Sequence, residues 1–384
     1  MIGSPARRRR LLTIGHSYAV GVNRRLAHEL AAAGEWEVTA AAPARFRGDF
    51  GWHVLEPDPG ERCTLAALPA HFTRPVHVML YGRRLFELLR QPWDLVHCWE
   101  EPYIAAAAEV VCGTPSRVPL VFATFQNIAK RYPPPFNWIE RRTLARANGL
   151  IAFGRTVFDV ATARGFPRGR VRIIPPGVDT SRFAPDPEAR VAVRASLGWQ
   201  DEVPVVGFLG RFVAEKGVRL LAEALDRVAV PWRALFVGSG PLEPDLRAWA
   251  HRHGARVAIN TEVRHDEVPR WLNAMDVLAA PSQSTPAWRE QFGRMLIEAF
   301  ACGVPVVASD SGEIPHVVGD HGIIVAEGDV AAWTRALDQI LGDEAGRREL
   351  SVRGRTTAVS TYDWPVVARQ HADFFRQLVD GDLG

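Results

Sequence analysis

Short apolar runs rich in β-branched residues alternate with longer amphipathic stretches from one end of the chain to the other. That alternation is the pattern of parallel sheets joined by crossover helices. In the first half it predicts strands near 11–15, 36–42, 94–97, 120–125, 150–153 and 171–174. Between the first two strands, Leu26, Ala27 and Leu30 share one helical face, while Arg24, Arg25, His28 and Glu29 lie mostly on the other. After Pro175-Pro176-Gly177 the pattern loses its period in a Pro- and Ala-rich stretch, which reads as a linker over 181–200 carrying a short helix. A second alternation then predicts strands near 205–209, 234–237, 257–260, 277–280, 304–308 and 323–325. Trp364, Val367, Phe374 and Leu378 recur at helical spacing in the last segment, a closing helix within 362–384. The expected organisation is an α/β chain of two doubly wound Rossmann-like domains, 1–180 and 201–361, with the last helix returning to the first domain.

Composition narrows the class. At 384 residues the chain exceeds one ordinary core, and 47% hydrophobic with 23% charged residues allows two full ones. A formal charge of +3 is too balanced for a protein whose main partner is a nucleic acid backbone. Cys63, Cys98, Cys112 and Cys302 form no CxxC pair and sit in apolar surroundings, which points to a reducing compartment rather than a zinc site or disulfide framework. The arginine run at 7–10 precedes an apolar stretch that Gly15 and His16 interrupt, too short for a secretory leader. No run of eighteen apolar residues occurs. The expectation is a cytoplasmic protein, with the arginine run a candidate for weak contact with the inner face of a membrane.

Several familiar signatures fail. Gly238-Ser239-Gly240 follows a strand, but Glu243 stands where a dinucleotide fingerprint needs its third glycine. The loop from Gly210 to Gly217 holds Lys216 without the Gly-Lys-Ser/Thr order of a P-loop, and neither GxSxG nor HExxH is present.

The informative stretch is 281–307, where a strand ends in a polar loop and Gly293 opens an apolar helix. Backbone amides at Phe292 and Gly293, with the helix dipole, favour a phosphate there. Glu290 in the loop and Glu298 in the helix could each accept hydrogen bonds from sugar hydroxyls. Arg211 and Lys216, in one strand-to-helix loop, could hold a diphosphate leaving group whose charge grows as its bond to the sugar breaks. The plain alternatives are solvated surface charges for the two cations and helix-start acids for the two carboxylates.

Glu290 and Glu298 with seven residues between them, followed by EAFACGVPVVAS and Gly312-Glu313-Ile314-Pro315, resemble the donor-site signature of family 4 glycosyltransferases. Gly210-Arg211 with Glu215-Lys216-Gly217, and Pro176-Gly177-Val178-Asp179, match two further motifs of that family. The resemblance implies the GT-B fold with an interdomain cleft, and transfer of a hexose from a nucleotide diphosphate sugar to a sugar or lipid-linked acceptor. It also implies retention of configuration and no metal or other cofactor. By the same resemblance Arg211 and Lys216 hold the diphosphate, Glu298 the ribose and Glu290 a donor-sugar hydroxyl, with Phe292 and Gly293 offering amides. Gly21 matches an N-terminal glycine loop that lets donor phosphates approach the backbone, although a plain tight turn explains it equally well. The acceptor side would draw on His16, Gln126 and Asn127. Many family members carry a histidine where this chain has Gln126-Asn127, and glutamine cannot act as a base near neutral pH. The family's same-face route, in which the departing phosphate oxygen takes the acceptor's proton, is therefore the expected mechanism. His97, ending a predicted strand, reads as a core residue outside the site. A sugar-nucleotide epimerase of the same architecture, or a donor-binding subunit without activity, are the alternatives.

Overall fold

The computed structural model describes residues 7–48, 51–199 and 202–382. Contacts divide the chain into two units, one of residues 1–175 with 364–384 and the other of residues 176–363. The first contains strands β1 (Arg9–Ile14), β2 (Trp36–Pro43), β3 (Arg45–Gly48), β4 (Gly51–Val54), β5 (Thr64–Leu68), β6 (Leu95–Cys98), β7 (Leu120–Thr124), β8 (Gly149–Ala152) and β9 (Val171–Ile173). Seven of them form a parallel sheet in the order β5-β2-β1-β6-β7-β8-β9, while β3 and β4 make a separate antiparallel hairpin. Strands β6 and β8 are buried along their whole length, which is why they read as continuous apolar runs. The hairpin and β5 escape the sequence pattern because their residues are half exposed.

The second unit holds β10 (Val205–Leu209), β11 (Arg233–Val237), β12 (Val257–Asn260), β13 (Val277–Ala280), β14 (Val306–Ser309) and β15 (Ile323–Val325). They form one parallel sheet in the order β12-β11-β10-β13-β14-β15. In each unit the chain builds outward from its first strand and then crosses to that strand's other side. The order therefore reverses between β1 and β6, and between β10 and β13. In open α/β sheets the crevice beyond the strand ends at such a reversal is where ligands bind.

The expected linker at 181–200 is corrected by the structure: its described part is a piece of the second unit's core. Phe183, Val193 and Trp199 are buried there, and Asp186 caps the helix Pro187–Ser196 by accepting from the amide of Ala189. Arg190 and Arg194 of that helix both pair with Asp276, which also accepts from the amide of Val205 at the start of β10. The helix looked like a linker because its outer face is Arg- and Ala-rich, although the Asp-Pro pair before it is a helix-start signal. The boundary between the units falls at Pro175 and Pro176.

The last helix, Trp364–Asp380, belongs to the first unit and buries Trp364, Val367, Ala368, His371, Ala372, Phe374 and Phe375. The arginine run at 7–10 also differs from expectation. Arg9 and Arg10 open β1, and the charges of the run are largely engaged: Arg7 with Asp94, Arg9 with Asp380 and Glu35, and Arg10 with Glu37. It is an ion-paired strand entry rather than a basic arm. Among the described residues no helix is long and apolar enough to cross a membrane, and all four cysteines are free thiols.

His97 and His371 are both fully buried in the first unit, with ring centroids 6.1 Å apart. His97 Nδ1 meets the Thr13 hydroxyl at 3.0 Å, and His371 Nδ1 donates to the Val367 carbonyl. Neither Nε2 has a partner. Burial holds His371 down to about 4 and His97 well below its ordinary value. A base held low in the fold stays neutral there while its unfolded counterpart charges, so its stabilisation is complete above pH 6.5 and lost as pH falls towards 4. His371 alone accounts for about 3 kcal/mol of that loss. Melting temperature measured between pH 7 and pH 4.5 should fall, and it should fall less in a His371→Leu variant.

Candidate donor site at the β10 and β13 strand ends

Two loops meet where the second sheet reverses. The loop after β10 runs through Gly210, Arg211 and Phe212 into a short turn, Ala214–Lys216, and Gly217 then opens the helix Val218–Leu225. The loop after β13 runs from Pro281 to Gly293, which opens the helix Arg294–Ala301. The amide of Gln283 donates to the Glu215 carbonyl across the two loops. Close approach depends on missing side chains. A Cβ on Gly217 would lie 1.8 Å from the Pro281 carbonyl oxygen, and one on Gly312, in the loop after β14, 2.1 Å from that of Glu290. Both glycines have left-handed backbones, at φ 68° and 56°.

The packing brings Lys216 and Glu290 into contact although 74 residues separate them. Lys216 Nζ donates to Glu290 Oε2 at 2.5 Å, and the Ser282 hydroxyl donates to the same oxygen at 2.9 Å. Glu290 is buried and Lys216 is one-fifth exposed, so the ammonium sits at the mouth of the site over a nearly covered carboxylate. Trp288 closes one side, its ring centroid 5.2 Å from Lys216 Nζ. Arg211 stands exposed in the same loop.

The other predicted donor residues occupy the helix start. Phe292 buries its side chain against Tyr362 in the core, and Gly293 adopts φ 84°, ψ 64° at the cap. The first-turn amide of Leu296 donates to the Gly293 carbonyl, and the helix dipole favours an anion in front of the first turn. Glu298 is buried on that helix, with His265 Nε2 3.7 Å from its carboxylate. Sequence reasoning placed Glu290 on a sugar hydroxyl and did not find its contacts with Lys216 and Ser282. It also missed Trp288 and His265, which no spacing rule connects to the glutamates.

In the first unit His16 lies in the loop after β1, beside Glu100 in the loop after β6. Gln126 is less available than expected: its Oε1 accepts from Arg164, which also pairs with Glu140. Asn127 is buried beside it. At Gly21 the place a side chain would take is filled by the Asp58 carboxylate, one oxygen of which lies 2.1 Å from where a Cβ would stand. Asp58 is itself 3.5 Å from the fully buried Arg24.

Residues 203–343 match the model of glycosyl transferases group 1, and residues 20–182 match that of Glycosyltransferase Family 4. The chain belongs to the family 4 glycosyltransferases. The first match contains Arg211, Lys216, Glu290 and Glu298. Among relatives of this chain, a D-inositol 3-phosphate glycosyltransferase of Xylanimonas cellulosilytica is 33% identical over 62% of this chain and 59% of its own. A GDP-mannose-dependent alpha-(1-6)-phosphatidylinositol monomannoside mannosyltransferase of Mycolicibacterium smegmatis is 39% identical over 52% and 54%. The chain thus spans little more than half the length of these curated relatives. Solved structures cover it more fully. Sucrose-phosphate synthase of Thermosynechococcus elongatus superposes with TM-score 0.70 at 23% identity, over 97% of this chain and 100% of its own. Anabaena HepE in complex with UDP superposes with TM-score 0.72 at 18% identity, over 96% and 100%. The fold is GT-B.

Proposed function

We propose that this chain is a retaining hexosyltransferase that moves a sugar from a nucleoside diphosphate donor to a hydroxyl of a sugar or lipid-linked acceptor, in the assembly of cell-surface polysaccharides or glycoconjugates. The observation that carries the reading is the contact of Lys216 with Glu290 at the sheet reversal, beside the start of a helix whose dipole favours an anion. The donor's diphosphate lies against Lys216, Arg211 and the amides of Phe292 and Gly293. Glu298 holds the ribose, and Glu290 holds a donor-sugar hydroxyl while keeping Lys216 in place. As the bond between the anomeric carbon and phosphate oxygen breaks, its electron pair leaves with the diphosphate, whose growing charge the two cations stabilise. The acceptor oxygen adds on the same face, and the departing phosphate oxygen takes its proton. Fixed cations do the work of a metal ion, so the reaction needs none.

The relatives that act on inositol phosphates and phosphatidylinositol mannosides support an acceptor of that general kind. The exposed Lys130, Arg131, Arg141 and Arg142, with Trp138 63% exposed among them, suit weak peripheral contact with an anionic membrane in place of the paired arginine run. Four free thiols suit a cytoplasmic location.

A thermal-shift panel of GDP-mannose, UDP-glucose and ADP-glucose tests the donor. One of them should stabilise the protein, by about 2.7 kcal/mol at a hundredfold excess over its Kd. The shift and the turnover should survive EDTA. No shift with any of the three would overturn the reading. Donor consumption that disappears in Lys216→Ala distinguishes an enzyme from a binding subunit, and NMR of donor incubated alone distinguishes transfer from epimerisation.

A further inference from the structure

The first unit repeats the architecture of the second, and its sheet reversal lies between β1 and β6. The two loops at those strand ends are tied together by one carboxylate. Glu100 accepts from the backbone amide of His16 at 2.6 Å, from His16 Nδ1 at 2.5 Å and from the Tyr81 hydroxyl at 2.7 Å. Its side chain is wholly buried. A buried carboxylate is costly unless its oxygens are satisfied, and this one is satisfied by three donors from two distant segments. Tyr81 is pinned in turn, since its own amide and that of Gly82 donate to Glu109 at 2.7 and 2.9 Å.

The result for His16 is a ring of set orientation. Nδ1 points into the fold at Glu100, and Nε2, on the opposite side of the ring, is left for the surface, where the side chain is 27% exposed. His97 differs, because both of its ring nitrogens lie in the core. Beside His16 stands Phe46 of β3, half-buried, with ring centroids 5.1 Å apart. An aromatic wall next to an oriented hydrogen-bonding group is what a sugar ring needs, since one face is apolar and its rim carries hydroxyls.

We propose that Phe46 and His16, with Glu100 as the positioning residue behind them, form a subsite for a hydroxylated ring of the acceptor, a sugar or a cyclitol. Phe46 covers one face of that ring, and His16 Nε2 hydrogen-bonds one of its hydroxyls. This rests on the transferase reading and assigns the acceptor's ring to the first unit. A hydroxyl both donates and accepts, so the contact serves either form of the imidazole. Burial by itself would lower the imidazole's pKa, but the charge and hydrogen bond of Glu100, with Glu101 adding its charge, hold it above the ordinary value.

The test is NMR of the full chain labelled in histidine, titrated with methyl α-D-mannopyranoside and with myo-inositol, each with and without a nucleotide that binds. The His16 ring signals should move saturably with at least one of the two, while those of His97 and His371 stay still. Phe46→Ala, on an exposed hairpin, should weaken that response about tenfold. Glu100→Gln should lower the His16 titration midpoint and weaken the response as well; if that variant does not fold, Phe46→Ala carries the test. A His16 signal unmoved by both compounds, or moved equally in Phe46→Ala, overturns the subsite. Should nucleotide still bind in that case, the donor reading stands; should nucleotide fail to bind while His16 responds, the donor reading falls and the subsite remains.

Discussion

Lys216→Ala is expected to lower kcat by about a hundred- to a thousand-fold, the loss seen when one preorganised charge facing a developing anion is removed. The lysine's place explains why the effect should be on turnover. Its ammonium is held at 2.5 Å by a buried carboxylate and flanked by Trp288, so it is positioned before any ligand arrives. The same variant removes the lysine cation from beside Glu290, which keeps the Ser282 hydroxyl. Loss of a cation beside a largely buried carboxylate destabilises, here by about 1–2 kcal/mol because the lysine end of the pair is partly exposed. A double variant, Lys216→Ala with Glu290→Gln, removes the buried negative charge as well and should regain most of the lost melting temperature without regaining activity. Recovery of activity in the double variant would show that Lys216 serves only to neutralise Glu290. Steady-state kinetics and calorimetry on the three proteins give both quantities.

The alternating pattern disclosed most of the two sheets because their inner strands are buried on both faces, as in β6, β8, β13 and β14. It was silent where strands lie at an edge or in a hairpin, and it misjudged 181–200 because the buried residues there are few and widely spaced. The loops of the candidate site were legible for a related reason. Glycines at 210, 217, 293 and 312 and charged residues beside them stand out against apolar surroundings. Pairing was not legible, since Lys216 meets Glu290 only after two strand ends are laid side by side. The histidines show the same limit. His97 sits in a prominent strand and is core, whereas His16 gains its orientation from Glu100 and Tyr81, neither of which carries a local signal linking it to residue 16.

Gly217→Ala is expected to be severely damaging for its size. The residue has φ 68°, a region an alanine adopts only with strain, and the added methyl would lie 1.8 Å from the carbonyl oxygen of Pro281. That neighbour is backbone at the end of β13, so no side chain can swing aside. The two loops must separate, and backbone strain together with overpacking should lower stability by about 3 kcal/mol. Separation also draws Lys216 away from Glu290, because the lysine immediately precedes the glycine and the glutamate belongs to the loop being pushed off. Donor affinity and kcat should therefore fall together with melting temperature. Gly165→Ala provides the control: it follows a helix end with a positive φ of 91°, nothing lies within 4 Å of its Cβ position, and it belongs to the first unit. It should show the backbone strain alone, about 1 kcal/mol, with donor affinity unchanged. Equal loss of donor affinity in the two variants would mean that close approach of the β10 and β13 loops does not shape the site.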